Sequence, residues 1–325
     1  MPRLRRTRLS DPGIRRARRG SGFSYREPDG AVIRESAALE RLRALAIPPA
    51  WTDVWIAAAE NAHIQATGVD AAGRRQYLYH PAWRERSDRR KYERMLDLAE
   101  VLPRARRGVT RDLRADGLGR ERVLAGAFRL LDSGALRVGT PRYAEDHGSY
   151  GLTTLLGAHA AVRGGEVRLR FPGKSGQEWS SGIEDPDLAA LVSALQRRGP
   201  RARLLAWRDP DGEVHPLRPG ELNDDIRRRT GGDFTAKDFR TLRGTAVAAA
   251  SLARTGPRAS ASGRSRALAA AMREAAAALG NTPAVARTAY VDPRIADRYE
   301  RGETVDPSRI ASGTIERELL RLLRG

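Results

Sequence analysis

Cysteine is absent from the 325 residues. Disulfides, thiolate nucleophiles and cysteine-bound zinc are therefore excluded. Histidine is sparse: His63, His80, His147, His159 and His215 stand far apart with no metal-ligand spacing, so no metal is expected. No apolar run approaches the roughly 18–20 residues that cross a bilayer, and the arginine-rich start lacks the apolar stretch of a secretory signal. The expectation is a soluble cytoplasmic protein. Lysine is nearly missing as well. Of 59 basic residues only Lys91, Lys174 and Lys237 are lysine, and the rest are arginine.

What is present is positive charge. The formal net charge of +19 makes a polyanion the default partner, and nucleic acid the first candidate. Hydrophobic residues at 40% are enough for a buried core, and the length suits two domains better than one. Because arginine serves wherever mere charge is wanted, each surviving lysine points to something arginine cannot do. An ammonium can give up its proton when neighbouring cations lower its pKa, whereas a guanidinium stays charged. On composition alone, three chance survivors explain the pattern equally well.

Two tempting motifs fail. Gly173-Lys174-Ser175 looks like the end of a phosphate-binding loop, but Arg168 occupies the position of the required earlier glycine and a hairpin follows. No ATP site is expected there. Asp224-Asp225 has no third acidic partner at a suggestive spacing and reads as a helix surface.

Along the chain, residues 1–21 carry eight arginines and almost no large apolar side chains, and are expected to form a basic flexible arm. Leu39, Leu42 and Leu45 recur at helical spacing before Pro48-Pro49, and short strands are expected over 53–59, 63–70 and 74–80. Residues 22–90 thus read as a small β-rich domain. From 91 to 325 the pattern is mainly helical. Pro103 to Gly108 is expected to break the first long helix, and residues 255–266 to form a loop. Hairpins are expected over 166–179 and 203–217, and helices over 237–254, 265–279, 283–290 and 307–323. The fold class is α+β: a small antiparallel sheet followed by a larger, mainly helical domain with hairpins.

Four segments then fall into an order. Ala135-Leu-Arg137-Val-Gly139 closes a helix, Phe171-Pro-Gly-Lys174 lies on a hairpin, Lys237-Asp-Phe-Arg240 opens a helix, and Asn281 to Tyr290 precedes the last helices. Each is weak alone. Together they resemble the type IB DNA topoisomerases, in particular their compact poxvirus-like bacterial branch, over nearly the whole chain.

The resemblance implies Tyr290 as the nucleophile, Arg137 and Arg240 as clamps on the scissile phosphate, Lys174 as general acid, and Lys237 beside the phosphate. Paired guanidinium hydrogen bonds would meet charge growing on the nonbridging oxygens, and protonation would ease departure of the 5′ oxygen. Tyr299 is the fallback nucleophile. Asn281 stands where the viral enzymes have histidine; its amide can replace a hydrogen-bond donor but cannot carry a proton charge. For DNA contact the resemblance implies Gln76, Tyr77 and Tyr79 on one strand, and Arg142 and Tyr143 after Arg137. Thr140 replaces a viral lysine. The implied protein is a nucleoid-associated monomer that clamps duplex DNA and forms a 3′-phosphotyrosyl intermediate, without cofactor, ATP or metal.

Two alternatives stay open. A tyrosine recombinase shares the Arg, Lys, Arg, Tyr order, although Lys237 stands where recombinases usually have histidine. A noncatalytic, arginine-rich DNA-packaging protein would account for the charge but not for the motifs.

Overall fold

A computed structural model describes residues 3–310 and 315–325. The chain divides into two compact units, residues 1–91 and 92–325. The first holds β1 (Gly13–Arg19), β2 (Gly22–Arg26), α1 (Ser36–Ala44), β3 (Thr52–Ala57), β4 (Ile64–Val69) and β5 (Arg75–Tyr79). The five strands form one antiparallel sheet in the order β2-β1-β3-β4-β5. Leu42 of α1 joins Ile14, Tyr25, Val54, Ile56 and Ala66 in its core.

The basic arm expected over residues 1–21 is corrected by β1. Its seven residues pair with β2 on one side and β3 on the other, and Arg19 opposite Gly22 leaves a two-residue hairpin loop with Gly20 left-handed at φ +58°. Arg16 is an integral part of this sheet. Its guanidinium donates to the carbonyls of Ile47, Pro48 and Trp51 at 2.8–3.0 Å and lies 4.1 Å from the centre of the Phe23 ring. Charge therefore did not prevent folding here, because backbone carbonyls and an aromatic face replace water around it. Even Arg5 is held, exchanging backbone hydrogen bonds with Asn61 and His63 at 2.9 Å.

α2 (Pro81–Leu113) carries the boundary between the units. The break expected at Pro103 does not occur. An internal proline costs a helix ~3 kcal/mol. Burial of Val109 and Leu113 beyond it contributes about 1.5–3 kcal/mol each, so packing outweighs the lost hydrogen bond. Ion pairs from Arg106 to Asp132 and Glu316, at 2.7 and 2.6 Å, hold the same stretch.

The second unit continues with α3 (Arg120–Gly134), α4 (Pro141–His147), β6 (Ala160–Arg163), β7 (Glu166–Pro172), β8 (Glu178–Glu184), α5 (Pro186–Gln196), β9 (Ala206–Arg208) and β10 (Val214–Pro216). Then come α6 (Pro219–Thr230), α7 (Ala236–Thr255), α8 (Ala261–Leu279), α9 (Pro283–Ala289), α10 (Arg294–Glu300), α11 (Pro307–Ile310) and α12 (Ile315–Arg324). Both expected hairpins form, the first within a three-stranded sheet β6-β7-β8. The loop expected over 255–266 is shorter, because Ser260 caps α8 by accepting from Gly263 N at 3.1 Å. Of the helix expected over 307–323, residues 311–314 lie outside the described residues. Alanine-rich α7 is buried along nearly its whole length, and Phe239 meets Phe128 of α3 edge-on at 5.2 Å. Among the described residues, no helix is long and apolar enough to cross a membrane.

Candidate active site

α3 ends at Gly134, and Ala135 takes the left-handed conformation (φ +49°) that turns the chain out of the helix. Arg137 lies in the extended exit. Its carbonyl accepts from Leu152 N at 2.8 Å, and the next turn is tight: a Cβ on Gly151 would stand 2.6 Å from Gly139 Cα. Glycine at both positions lets the two segments touch, which fixes the backbone from which the Arg137 side chain projects.

Arg240 sits in the second turn of α7 and is only 3% exposed. Its Nη1 donates to Ala135 O at 2.5 Å and its Nη2 to Leu279 O at 2.9 Å. Nε has no partner among the described residues. Burial lowers the Arg240 pKa, which the neighbouring Tyr290 offsets in part. Burial also lowers that of Arg137, and the charge of Arg240 adds to the effect. Both remain cations near neutrality, since arginine starts at 12.5.

Asn281 follows directly on the end of α8. Gly280 is left-handed (φ +56°), and a Cβ there would meet the Trp179 ring at 2.7 Å. Gly280 N and Asn281 N bond back to Ala277 O and Ala276 O at 3.2 and 2.9 Å, a Schellman end. The Asn281 side chain then accepts from Arg137 Nη2 through Oδ1 at 2.5 Å. Its Nδ2 is buried and unpaired among the described residues, leaving a donor free.

Tyr290 closes α9, which Pro283 and the Thr282 cap begin. Thr245 of α7 grips the chain around it: Oγ1 donates to Tyr290 O at 3.2 Å and accepts from Asp292 N at 3.1 Å. Tyr92 OH donates to Val291 O at 2.8 Å. Burial alone would raise the Tyr290 pKa. The cations Arg240, Arg137 and Lys237 outweigh it, and the net shift is downward from 10.0. Tyr299 is placed differently. It is 1% exposed and donates to Gly256 O at 2.7 Å, so it is a core residue.

The structure thus brings Arg137, Arg240, Asn281 and Tyr290 together, with Lys237, in the first turn of α7, close enough to act on the phenol electrostatically. Lys174 lies at the exposed tip of the β7–β8 hairpin. It and Arg137 line a cavity of about 440 Å³, with Tyr143, Tyr150 and Asn223 among the other lining residues. Tyr143 is 47% exposed on α4, where Arg142 pairs with Asp146 at 3.4 Å.

In the N-terminal unit, Tyr77 and Tyr79 stack 6.0 Å apart on the exposed face of edge strand β5. Gln76 does not join them. Strand alternation puts it on the other face, where it donates to Asp70 at 2.8 Å. That carboxyl is lowered to about 2, chiefly by the backbone N–H of Arg74.

Thr245 and Asn223 were not anticipated. Thr245 had a faint signal, lying five residues beyond Arg240 and just after Gly244, whose close approach to Tyr290 O leaves 3.1 Å for a Cβ. Asn223 had none.

The family pattern described as eukaryotic DNA topoisomerase I, catalytic core, matches residues 80–303. The bacterial DNA topoisomerase IB N-terminal domain matches residues 22–70. DNA topoisomerase 1B of Acanthamoeba polyphaga mimivirus is 32% identical over 233 residues, covering 71% of this chain and 69% of the viral one. DNA topoisomerase 1 of Mycosarcoma maydis is 24% identical over 217 residues, 60% of this chain and 21% of the fungal protein.

Proposed function

Since the chain belongs to the type IB DNA topoisomerases, we propose that it relaxes supercoiled duplex DNA through a 3′-phosphotyrosyl intermediate on Tyr290. Tyr290 Oη attacks the scissile phosphorus, the bond from phosphorus to the 5′ oxygen breaks, and the reverse step reseals the strand. The observation that carries this is the convergence of two guanidiniums, buried Arg240 and half-buried Arg137, on one tyrosine whose pKa they lower. Their charge favours the phenolate before attack and meets the nonbridging oxygens as negative charge grows on them. Asn281 Nδ2 supplies a further donor, and Lys174 hands its proton to the departing 5′ oxygen.

The bond energy stays in the phosphotyrosyl linkage, so the cycle runs without ATP. The guanidiniums take the part a metal ion plays elsewhere in phosphoryl transfer. The N-terminal unit binds duplex DNA through the exposed Tyr77 and Tyr79, with Gln76 behind them. Arg142, Tyr143 and Lys237 contact the backbone near the cleaved bond. The working species is a monomer that clamps duplex DNA, in association with the nucleoid.

Relaxation of a supercoiled plasmid in chelator and without ATP tests the reaction. Recovery of a denaturation-resistant adduct on the 3′ side of the break, absent from Tyr290→Phe, tests the intermediate. A nuclease would nick without covalent attachment, and a recombinase would yield strand-exchanged products from two duplexes.

A further inference from the structure

The cavity beside Lys174 contains a polar group that the chemistry above leaves unused. Asn223 Oδ1 is buried and has no partner among the described residues. An unpaired buried acceptor destabilises the fold, so one retained beside a reaction site calls for a donor that reaches it there. Arg137 spends Nη2 on Gly280 O and Asn281 Oδ1 at 3.3 and 2.5 Å, and Ser149 donates to His147 O at 3.4 Å; the hydroxyls of Thr140, Tyr143 and Tyr150 also line the cavity, and the double variant below separates them from Lys174. Lys174 has three N–H donors and no hydrogen-bond partner among the described residues, and it lines the same cavity.

The two residues differ in how firmly they are held. Asn223 lies on α6, which Pro219 opens and Glu221 caps by accepting from Arg218 N at 3.0 Å. The same helix is pinned by buried Arg229, which bonds Asp225 at 2.6 Å and Asp112 at 2.7 Å. Lys174 is an exposed, four-carbon side chain on a hairpin tip, free to take many rotamers. A general acid works only within hydrogen-bond reach of its target, so Lys174 needs a fixed acceptor to aim it.

We propose that Asn223 is the positioning residue for Lys174. Its carbonyl accepts one ammonium N–H, directs another at the 5′ oxygen, and favours the protonated form until transfer. As the bond from Tyr290 Oη to phosphorus forms and the bond to the 5′ oxygen breaks, the proton passes from Nζ to that oxygen. The neutral amine remains bonded to Asn223 and takes the proton back on religation. This rests on Lys174 being the general acid.

The test measures single-turnover cleavage by the parent enzyme, Asn223→Leu, Asn223→Ala, Lys174→Ala and the double variant Asn223→Leu with Lys174→Ala. Each is run on ordinary DNA and on DNA with sulfur as the bridging 5′ atom, a leaving group that departs without a proton. Both Asn223 variants should be slower on ordinary DNA by about 10–10²-fold, below the full worth of a general acid. On the sulfur substrate they should cleave within a few-fold of the parent, and Asn223→Leu should add nothing once Lys174 is alanine. Misfolding would slow both substrates alike, so the sulfur arm also reports on the fold. Parental rates on ordinary DNA, equal slowing on both substrates, or additive effects in the double variant would each overturn the proposal. Equal slowing of Lys174→Ala on both substrates would remove the general acid itself. Rescue of Lys174→Ala without rescue of Asn223→Leu would remove only Asn223.

Discussion

The guanidinium carbon of Arg240 lies 4.9 Å from the centre of the Tyr290 ring. An arginine 3% exposed is costly unless its donors are met, and Ala135 O and Leu279 O meet two of them while Nε stays unpaired. A cation held this rigidly beside the phenol needs no rearrangement when charge develops. Arg240→Ala should therefore slow cleavage by about 10²–10³-fold, the worth of one preorganised donor to a developing oxyanion. Arg240→Lys, which lacks the planar fork, should recover little. Cleavage by Arg240→Lys within a few-fold of the parent would show that charge alone is at work.

Tyr290→Phe loses one oxygen and should bind DNA normally without forming an adduct. Tyr299→Phe should still form it, because that hydroxyl is spent on Gly256 O in the core. The cost of losing this bond should show as about 1 kcal/mol of stability in denaturant unfolding. An adduct on Tyr290→Phe would move the nucleophile elsewhere.

Asn281 separates donor from acceptor. Its Oδ1 holds Arg137 and its Nδ2 is free, so Asn281→Asp keeps the first contact and removes the second. Both Asn281→Asp and Asn281→Ala should lose roughly 10²-fold in single-turnover cleavage, while Asn281→His should keep substantial activity through a ring N–H. If Asn281→Asp cleaves like the parent, this side chain serves only to orient Arg137.

The proposed catalytic residues came from the resemblance of four ordered segments, and most of those segments sit at the punctuation of the chain. Gly280-Asn281 ends a helix, Thr282-Pro283 starts one, and Lys237 to Arg240 opens another; local turn and cap chemistry writes such signals into neighbouring residues. What is carried by distant partners was not legible. Pro103 reads locally as a breaker, and only burial of Val109 and Leu113 against residues far along the chain overrules it. Gln76 was grouped with Tyr77 and Tyr79 although strand alternation already separates their faces.

The arginines of β1 misled for a related reason. Charge in a terminal segment suggests a solvated arm, but Arg16 is satisfied by three carbonyls and Ile14 is buried between strands. Deleting residues 1–21 should accordingly destabilise the N-terminal unit, with burial of Ile14 alone worth about 1.5–3 kcal/mol. Hydrogen exchange at β3, which pairs with β1, should quicken. Unchanged protection of β3 amides in the truncated protein would restore the view of a dispensable arm.

The lowered pKa of Tyr290 makes cleavage depend on pH in a definite direction. The phenolate is the better nucleophile, so on the 5′-sulfur substrate, whose leaving group needs no proton from Lys174, the rate should rise with pH and level off as Tyr290 ionises, below the ordinary tyrosine value of 10.0. Burial opposes this ionisation, and Arg240, Arg137 and Lys237 favour it. Lys237 is the one to remove, because it is exposed and acts on the phenol only through its charge. In Lys237→Gln the Tyr290 pKa should climb back toward its ordinary value. The rising limb should move to higher pH, costing up to tenfold in rate per unit of displacement at neutral pH, whereas any loss on the alkaline plateau reads only the contact of Lys237 with the DNA backbone. Linkage to stability has the matching sign. The folded pKa is depressed, so the contribution of the ionised phenol is complete above about pH 10 and is lost as pH falls through the lowered value. The difference in stability between the parent and Tyr290→Phe should therefore shift in the parent's favour across that window, and less so in Lys237→Gln. A Lys237→Gln enzyme slowed equally at every pH, plateau included, would show that Lys237 acts only through its DNA contact and has no part in the ionisation of Tyr290.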